Sequence, residues 1–265
     1  MNFKQKVLKI VSKIPAGSFS SYKKVAKKAG NENASRIVGQ ILARNKNPKI
    51  PCHRVILSNN LVGGYQGKIN LAWKKAAILL KEGVIGVIPT DTIYGICTSA
   101  FQKNSVEKIY QLRRRNPKKP CIILISSLRD LEEFDIKLKK EQKEFLTKIW
   151  PAKISVILKC KSKKFFYLER GTKTLAFRLP KNKFILKILK ISGPLVAPSC
   201  NIEGKKPAEN IKEAKKYFKD RVFYLDKGKI KQKPSTLIDL TKVPFKIIRK
   251  GADFRKLKIN DRSNL

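Results

Sequence analysis

One histidine, one methionine and two tryptophans occur among 265 residues, and only 19 acidic side chains stand against 61 basic ones. Each scarcity excludes something. With His53 as the single imidazole, a metal site built from several histidines cannot form. The five cysteines, Cys52, Cys97, Cys121, Cys160 and Cys200, are odd in number and include no C-x-x-C pair. That argues against a disulfide framework and against a zinc ribbon, so no zinc is expected and no metal ligand is assigned to a side chain. Unpaired thiols suit a reducing compartment, and a cytoplasmic location is expected. No apolar run approaches the ~18–20 residues of a membrane-spanning helix, so no membrane partner is expected. The first ten residues interleave basic and apolar side chains and lack the continuous apolar core of a secretory signal. Neither G-x-x-x-x-G-K-[ST] nor G-x-G-x-x-G occurs, which removes both usual glycine-rich phosphate loops.

What is present is a folded polycation. The formal net charge is +42, yet 42% of the residues are hydrophobic and 13 are Phe, unlike a disordered basic tail. The length allows one or two domains. Polyanions are the expected partners: nucleic acid, nucleotide phosphates, or both. Residues 1–82 carry 17 basic and 2 acidic side chains, and residues 83–265 carry 44 and 17. Per residue the two parts are almost equally basic, so much of the lysine excess reads as solvated background.

Helical spacing of Phe3, Val7, Ile10, Val11 and Ile14 predicts a helix over 3–14, stopped by Pro15. Ser20 or Ser21 can cap a second helix through Tyr22, Val25 and Ala26, ended by Gly30. Asn31 and Asn33 supply a turn and a new N-cap, and a third helix is predicted from Ala34 to Arg44. This spacing fits a helix-turn-helix, with the third helix in the recognition position, although helical hairpins are common. From residue 84 the texture changes. Short apolar runs at Val84–Ile88, Ile122–Ile125, Ile154–Leu158, Leu175–Leu179 and Leu195–Ala197 read as buried strands. Helical stretches lie around 104–113, 139–149, 183–190 and 208–218. The predicted architecture is α/β: a small helix-turn-helix (winged-helix-like) unit over 1–70, then a twisted-sheet unit over 71–265. The helix over 71–83 can be assigned to either unit, and the tail from 255 to 265 is expected to be frayed.

Cys52 and His53 are adjacent in Ile50-Pro51-Cys52-His53-Arg54. A neighbouring base or cation can turn a thiol into a nucleophile, but a Cys-His pair taken alone is most often inert packing. The surroundings are more specific. Ile14-Pro15-Ala16-Gly17, Ser21-Tyr22, Ala34-Ser35-Arg36-Ile37-Val38-Gly39, Asn45, Pro51-Cys52-His53-Arg54 and Gly63-Gly64-Tyr65 occur in that order. In this pattern residues 8–67 resemble the DNA-binding and catalytic domain of O6-alkylguanine-DNA alkyltransferases. The resemblance implies that double-stranded DNA is bound, that a damaged guanine is flipped into a pocket, and that its alkyl group passes once to Cys52. His53 would relay the proton and Glu82 would orient His53. Tyr22, Arg36, Asn45 and Tyr65 would serve DNA binding, with Arg36 filling the vacated stack. Ala34 and Gly39 would let the recognition helix lie close in the groove. The pattern departs from the family in lacking its usual N-terminal domain, and about three extra residues are needed before Lys75 to bring Glu82 into register. If the helix belongs to the second unit, Glu82 is an ordinary surface residue.

The second unit carries motifs that read singly as polar turns. They are Pro89-Thr90-Asp91-Thr92-Ile93-Tyr94-Gly95, Leu112 to Pro120, Trp150-Pro151-Ala152, Leu175 to Pro180, Ala197-Pro198-Ser199-Cys200-Asn201, Ser235 to Asp239, and Ile248-Arg249-Lys250-Gly251. Together and in order they resemble the threonylcarbamoyl-AMP synthase family, the YrdC/Sua5-type domain. The resemblance implies that L-threonine, bicarbonate and ATP form threonylcarbamoyl-adenylate and pyrophosphate, the adenylate feeding a tRNA threonylcarbamoyltransferase complex. Arg113, Arg115, Lys119, Thr174, Ser199, Asn201 and Arg249 would bind ATP, with Mg2+ carried by the triphosphate. Thr92, Arg178 and Ser235 would hold threonine. Arg113 stands where lysine is usual, and Lys250 where proline is usual. The chain is expected to be of the short type. The competing reading is a nucleic-acid-binding or DNA-repair protein in which Cys52 accepts alkyl groups or the first unit only senses lesions.

Overall fold

The computed structural model describes residues 1–242 and 244–257. The first unit is built on α1 (Phe3–Ser12), α2 (Tyr22–Lys28) and α3 (Ser35–Arg44). Asn2 and Gln5 cap α1 reciprocally, each side chain accepting from the other's backbone N–H at 3.0 Å. The helix ends at Ser12, ahead of Pro15 and short of the predicted residue 14. Ser21 caps α2, its Oγ accepting from Lys24 N at 3.1 Å. Gly30, at φ +100°, turns the chain between α2 and α3. The expected cap from Asn33 is not made. Asn31 Oδ1 instead accepts from Asn33 N at 3.1 Å, and Ala34 occupies the N-cap without a side-chain bond. Val7, Val11, Val25, Ala26, Val38 and Leu42 close a small core between the helices. A parallel pair, β1 (Ser20–Ser21) and β2 (Val55–Ile56), ties the segment just after Arg54 to the start of α2.

After α4 (Ala72–Lys81) comes a mixed sheet of nine strands. In chain order the elements are β3 (Gly86–Pro89), β4 (Tyr94–Ser99), α5 (Lys103–Arg113), β5 (Ile122–Leu124), α6 (Lys140–Ile149), β6 (Ile154–Lys159), α7 (Phe166–Glu169), β7 (Thr174–Arg178), α8 (Lys183–Ser192), β8 (Leu195–Val196), α9 (Ile211–Phe218), β9 (Phe223–Tyr224), β10 (Thr236–Asp239) and β11 (Lys246–Arg249). Across the sheet the order is β11-β10-β6-β7-β5-β8-β4-β3-β9, with β10–β6, β5–β7 and β3–β9 parallel. The five apolar runs seed β3, β5, β6, β7 and β8. Four strands of this sheet escape the sequence pattern. β4 reads Tyr-Gly-Ile-Cys-Thr-Ser, β9 has two residues, and β10 and β11 lie toward the edge, where polar residues are tolerated. Leu257, placed by sequence in a frayed tail, is buried in the main core at 2% exposure. The tail beyond it, 258–265, lies outside the described residues.

Two connections join the units. Ala76, Leu79 and Leu80 of α4 pack with Ile185, Ile188 and Leu189 of α8, and the same apolar cluster includes Ile56 and Val62 of the first unit. The stretch 60–62 also runs along the edge strand β9. Val62 N donates to Tyr224 O at 2.8 Å, and Tyr224 N donates to Asn60 O at 2.9 Å. The first unit thus covers backbone groups that an open sheet edge would expose. Among the described residues no helix is long and apolar enough to cross a membrane.

Candidate functional site

Two sites emerge. In the first unit a hollow of about 180 Å3 is lined by residues that include Tyr22, Gly39, Cys52, Tyr65 and Lys75. Cys52 opens a short 3-10 turn (Cys52–Arg54) that places its half-buried thiol at the hollow. Asn45, expected on the DNA side, donates from Nδ2 to Cys52 Sγ at 3.3 Å. Behind the turn, His53 Nε2 lies 2.9 Å from Glu82 Oε1. Arg54 grips the same carboxylate twice, Nε to Oε2 at 2.9 Å and NH2 to Oε1 at 2.8 Å, while NH1 donates to Ile14 O at 2.6 Å. Glu82 is therefore a member of this site although it caps the helix leading into the second unit. Arg36 is exposed on α3, outside the hollow. Ala34, expected to ease groove contact, is buried in the first core.

Electrostatics sharpen these roles. Burial opposes ionisation of Glu82, but hydrogen bonds from Arg54 and His53 outweigh it and hold its carboxyl below the usual range. An ionised carboxylate can only accept, so Nε2–H of His53 donates and Nδ1 is left as the basic nitrogen. Burial lowers the His53 pKa, partly offset by Glu82, which keeps the ring neutral near pH 7. Burial raises the Cys52 thiol, with partial relief from Asn45 and Lys75. The thiol therefore needs a base to remove its proton.

Lys75 is the residue that motif reading missed. It is buried at 1% exposure, donates to Val55 O through a very short contact, and reaches Tyr22 OH at 3.3 Å. Burial brings its pKa down to about 8. The available signal was spacing: Lys75 lies seven residues, two helical turns, before Glu82 and so shares its face of α4.

The second site is a cleft of about 630 Å3 along the ends of the sheet strands. Thr92, Arg115, Lys119 and Thr174 line one part of it, and Arg178, Ser199, Ser235 and Arg249 the rest. Thr92 rides on a turn fixed by Thr90, whose Oγ1 donates to Ile93 O at 2.6 Å and accepts from Thr92 N at 3.2 Å. Arg249 donates to Ser235 O from Nε at 3.2 Å and from NH2 at 2.9 Å. Ser235 Oγ lies 2.9 Å from Ser155 Oγ, a buried hydroxyl on β6 that the apolar pattern of that strand conceals. Arg115 is held by Lys119 O at 3.1 Å and Pro120 O at 2.9 Å. Lys119 Nζ meets Glu203 Oε1 at 3.1 Å at the rim.

Arg113 and Asn201 are not among the cleft-lining residues. Arg113, buried at 2% exposure, donates from Nε to Asn201 O at 3.0 Å and from NH2 to Ser199 Oγ and Asn201 Oδ1, both at 3.1 Å. It ties the end of α5 to the 199–201 loop and so fixes the cleft wall. Burial, then the charge of Arg115, depresses its pKa. Burial and Arg178 do the same to Arg249. Cations held at that cost among neutral acceptors are suited to a multiply charged anion.

A family model described as Sua5/YciO/YrdC, "telomere recombination", matches residues 78–251. A second, described as the DNA-binding domain of 6-O-methylguanine DNA methyltransferase, matches residues 2–84. The two overlap at 78–84, the end of α4 and Glu82. A threonylcarbamoyl-AMP synthase from Pyrococcus abyssi is 30% identical over 179 residues, 66% of this chain and 53% of the relative. Its counterpart from Bacillus subtilis is 32% identical over 133 residues, 49% of this chain and 38% of the relative. The chain thus spans about half or less of the length of these relatives. The structure of P. abyssi Sua5 complexed with L-threonine superposes with a TM-score of 0.64 at 29% identity, covering 69% of this chain and 55% of that one. Both resemblances carried by the motifs are thereby borne out: the chain belongs to the Sua5/YciO/YrdC family and bears, ahead of that domain, a unit of the 6-O-methylguanine DNA methyltransferase DNA-binding type.

Proposed function

We propose that the second unit is an L-threonylcarbamoyladenylate synthase. The observation that carries this reading is the convergence of Arg115, Arg249, Lys119 and Ser199 with Thr92, Arg178 and Ser235 in one cleft. The reaction joins two anions, a carboxylated amino acid and a nucleotide triphosphate, and its catalysis is mainly positioning and charge neutralisation. The threonine amine takes up bicarbonate with loss of water to give N-carboxythreonine. A carboxylate oxygen of that group then bonds to the α-phosphorus, and the bond to the β-phosphate oxygen breaks to release pyrophosphate. Arg178 binds the threonine carboxylate, with Thr92 and Ser235 beside it. Arg115, Lys119 and Arg249 hold phosphate oxygens, Thr174 and Ser199 line the nucleotide site, and Arg113 and Asn201 brace its wall. A magnesium ion brought with the nucleotide would neutralise phosphate charge. The adenylate would serve tRNA threonylcarbamoylation in the cytoplasm. Incubation with ATP, threonine and bicarbonate tests the reading. Threonine-dependent pyrophosphate release is expected from the parent, with a large loss in Arg115→Ala. No release from the parent sinks it.

A second activity rests on a separate observation, the chain of contacts Asn45–Cys52 and His53–Glu82–Arg54 around a base-sized hollow. In this reading Sγ of Cys52 bonds to the alkyl carbon of a flipped O6-alkylguanine, the O6–carbon bond breaks, and the thiol proton passes through His53, by way of a water, to the departing guanine. Arg36 would occupy the gap in the duplex. Mass spectrometry of the Cys52 peptide after exposure to O6-methylguanine DNA is expected to find one added methylene. Tight lesion binding with unmodified Cys52 would make the unit a sensor instead.

A further inference from the structure

Asp91 stands inside the Thr90-Asp91-Thr92 turn, between two threonines that line the cleft. Its side chain is turned away from the cleft lining and toward Arg178, with Oδ1 2.9 Å from Arg178 NH2. Both residues are at least nine-tenths buried, with exposures of 5% and 4%. The contact is a charge pair without hydrogen-bond alignment, and both Asp91 oxygens and Arg178 Nε lack a hydrogen-bond partner. A buried pair left so incompletely satisfied is costly for stability alone. Arg178 nevertheless lines the cleft and keeps a donor uncommitted.

The other guanidinium groups differ. Arg115 and Arg249, which line the same cleft, donate to neutral carbonyl oxygens, and the carboxylate that acts on Arg115, Glu203, does so from the partly exposed rim. Lys119 does meet Glu203, but its side chain is 61% exposed and water screens that pair. Arg178 is therefore the cleft cation whose charge is cancelled in a dry setting. A cancelled guanidinium keeps its fork of donors, which fits a carboxylate, but loses the net field that attracts a polyphosphate.

We propose that Asp91 is a positioning and specificity-determining residue. It holds Arg178 and neutralises it, so that this subsite takes the single carboxylate of an amino acid and turns away the nucleotide's phosphates. The inference rests on the synthase reading, in which one cleft must sort two anions with one set of cations. Discrimination comes here from a repulsive element, the Asp91 carboxylate, as much as from an attractive one.

Calorimetric titration of the full chain with imidodiphosphate, a pyrophosphate mimic, tests this without requiring turnover. The parent is expected to bind one equivalent, at the nucleotide cations, and to bind threonine with an affinity that imidodiphosphate changes less than about twofold. Asp91→Asn is expected to bind a second equivalent, at Arg178, and that equivalent is expected to compete with threonine. Asp91→Asn combined with Arg178→Gln is expected to return to one. A merely structural role for Asp91 would lower melting temperature without creating a second anion site. Should Asp91→Asn not fold, Asp91→Ser, which admits water beside Arg178, takes its place. One equivalent in a folded Asp91 variant overturns the inference. A parent that binds imidodiphosphate but no threonine overturns the synthase reading instead.

Discussion

Glu82, the C-cap residue of α4, accepts a hydrogen bond from His53 at 2.9 Å across 29 positions of sequence. The helix that begins the Sua5/YciO/YrdC-type unit therefore supplies a carboxylate to the other site. Glu82→Gln keeps the shape and removes the charge. Without it His53 loses both its tautomer anchor and the field that supports its basicity. Cys52 alkylation is expected to slow by roughly 10²-fold or more, the lower range for lost general acid–base help. Lesion binding, which the proposed reading gives to Arg36, is expected to change little. The limb of the rate profile that rises with pH should move to lower pH, since Glu82 raises the His53 pKa. A profile that stays in place would remove Glu82 from the proton path.

Replacing Arg113 by lysine probes the other site. The three contacts to Asn201 O, Asn201 Oδ1 and Ser199 Oγ need a planar fork that lysine lacks. At least one buried acceptor is then left unmatched, and a loss of about 1–3 kcal/mol in unfolding free energy is expected. Denaturant titration reads it. ATP affinity is expected to fall because the 199–201 loop loosens while the charge is retained. Unchanged stability would place Arg113 outside the wall and return it to direct nucleotide contact.

These two cases mark what sequence carries and what it does not. Helical spacing marks the helix-turn-helix, apolar runs mark five strands, and the motifs mark most of the polar residues that line the cleft, because each is a local pattern of spacing or residue type. They did not separate Arg115, which faces the cleft, from Arg113, two residues earlier and buried behind it. Backbone direction decides that: α5 ends with Arg114 in the left-handed conformation, φ 48°, and the chain turns there. The membership of Glu82 was likewise undetermined, since it depends on how α4 packs against the 52–54 turn. Lys75 and Ser155 were hidden for a related reason, each a polar group in an apolar segment with partners distant in sequence.

Gly86 tests the join between the units. A Cβ there would lie 2.2 Å from the Phe223 ring, which sits against the glycine where β3 and β9 pair. Gly86→Ala must push that ring out, and overpacking of this kind costs about 1–3 kcal/mol. Because Tyr224, the next residue, carries the bonds to Asn60 and Val62, amide exchange is expected to quicken at Val62 and Tyr224 together. Faster exchange at Tyr224 alone would mean that the first unit holds its place without the edge strand.

Lys75→Met isolates the cost of burying an ammonium beside Cys52. The folded pKa of Lys75 is about 8, against 10.5 for the ordinary side chain. Between those values the unfolded chain binds the proton that the folded chain has released, so stability attributable to Lys75 rises with pH through this window. The full difference is on the order of 3 kcal/mol. Unfolding free energies of the parent and Lys75→Met, measured from pH 7 to pH 11, should therefore diverge, with the parent gaining above pH 8. The gain should be complete near 10.5. Met also leaves Val55 O and Tyr22 OH without their donor, so an offset in favour of the parent adds to the slope at every pH. Parallel curves would show that Lys75 stays charged throughout, held by the Cys52 thiolate, and would transfer the proton-accepting part of the site from His53 to that ion pair.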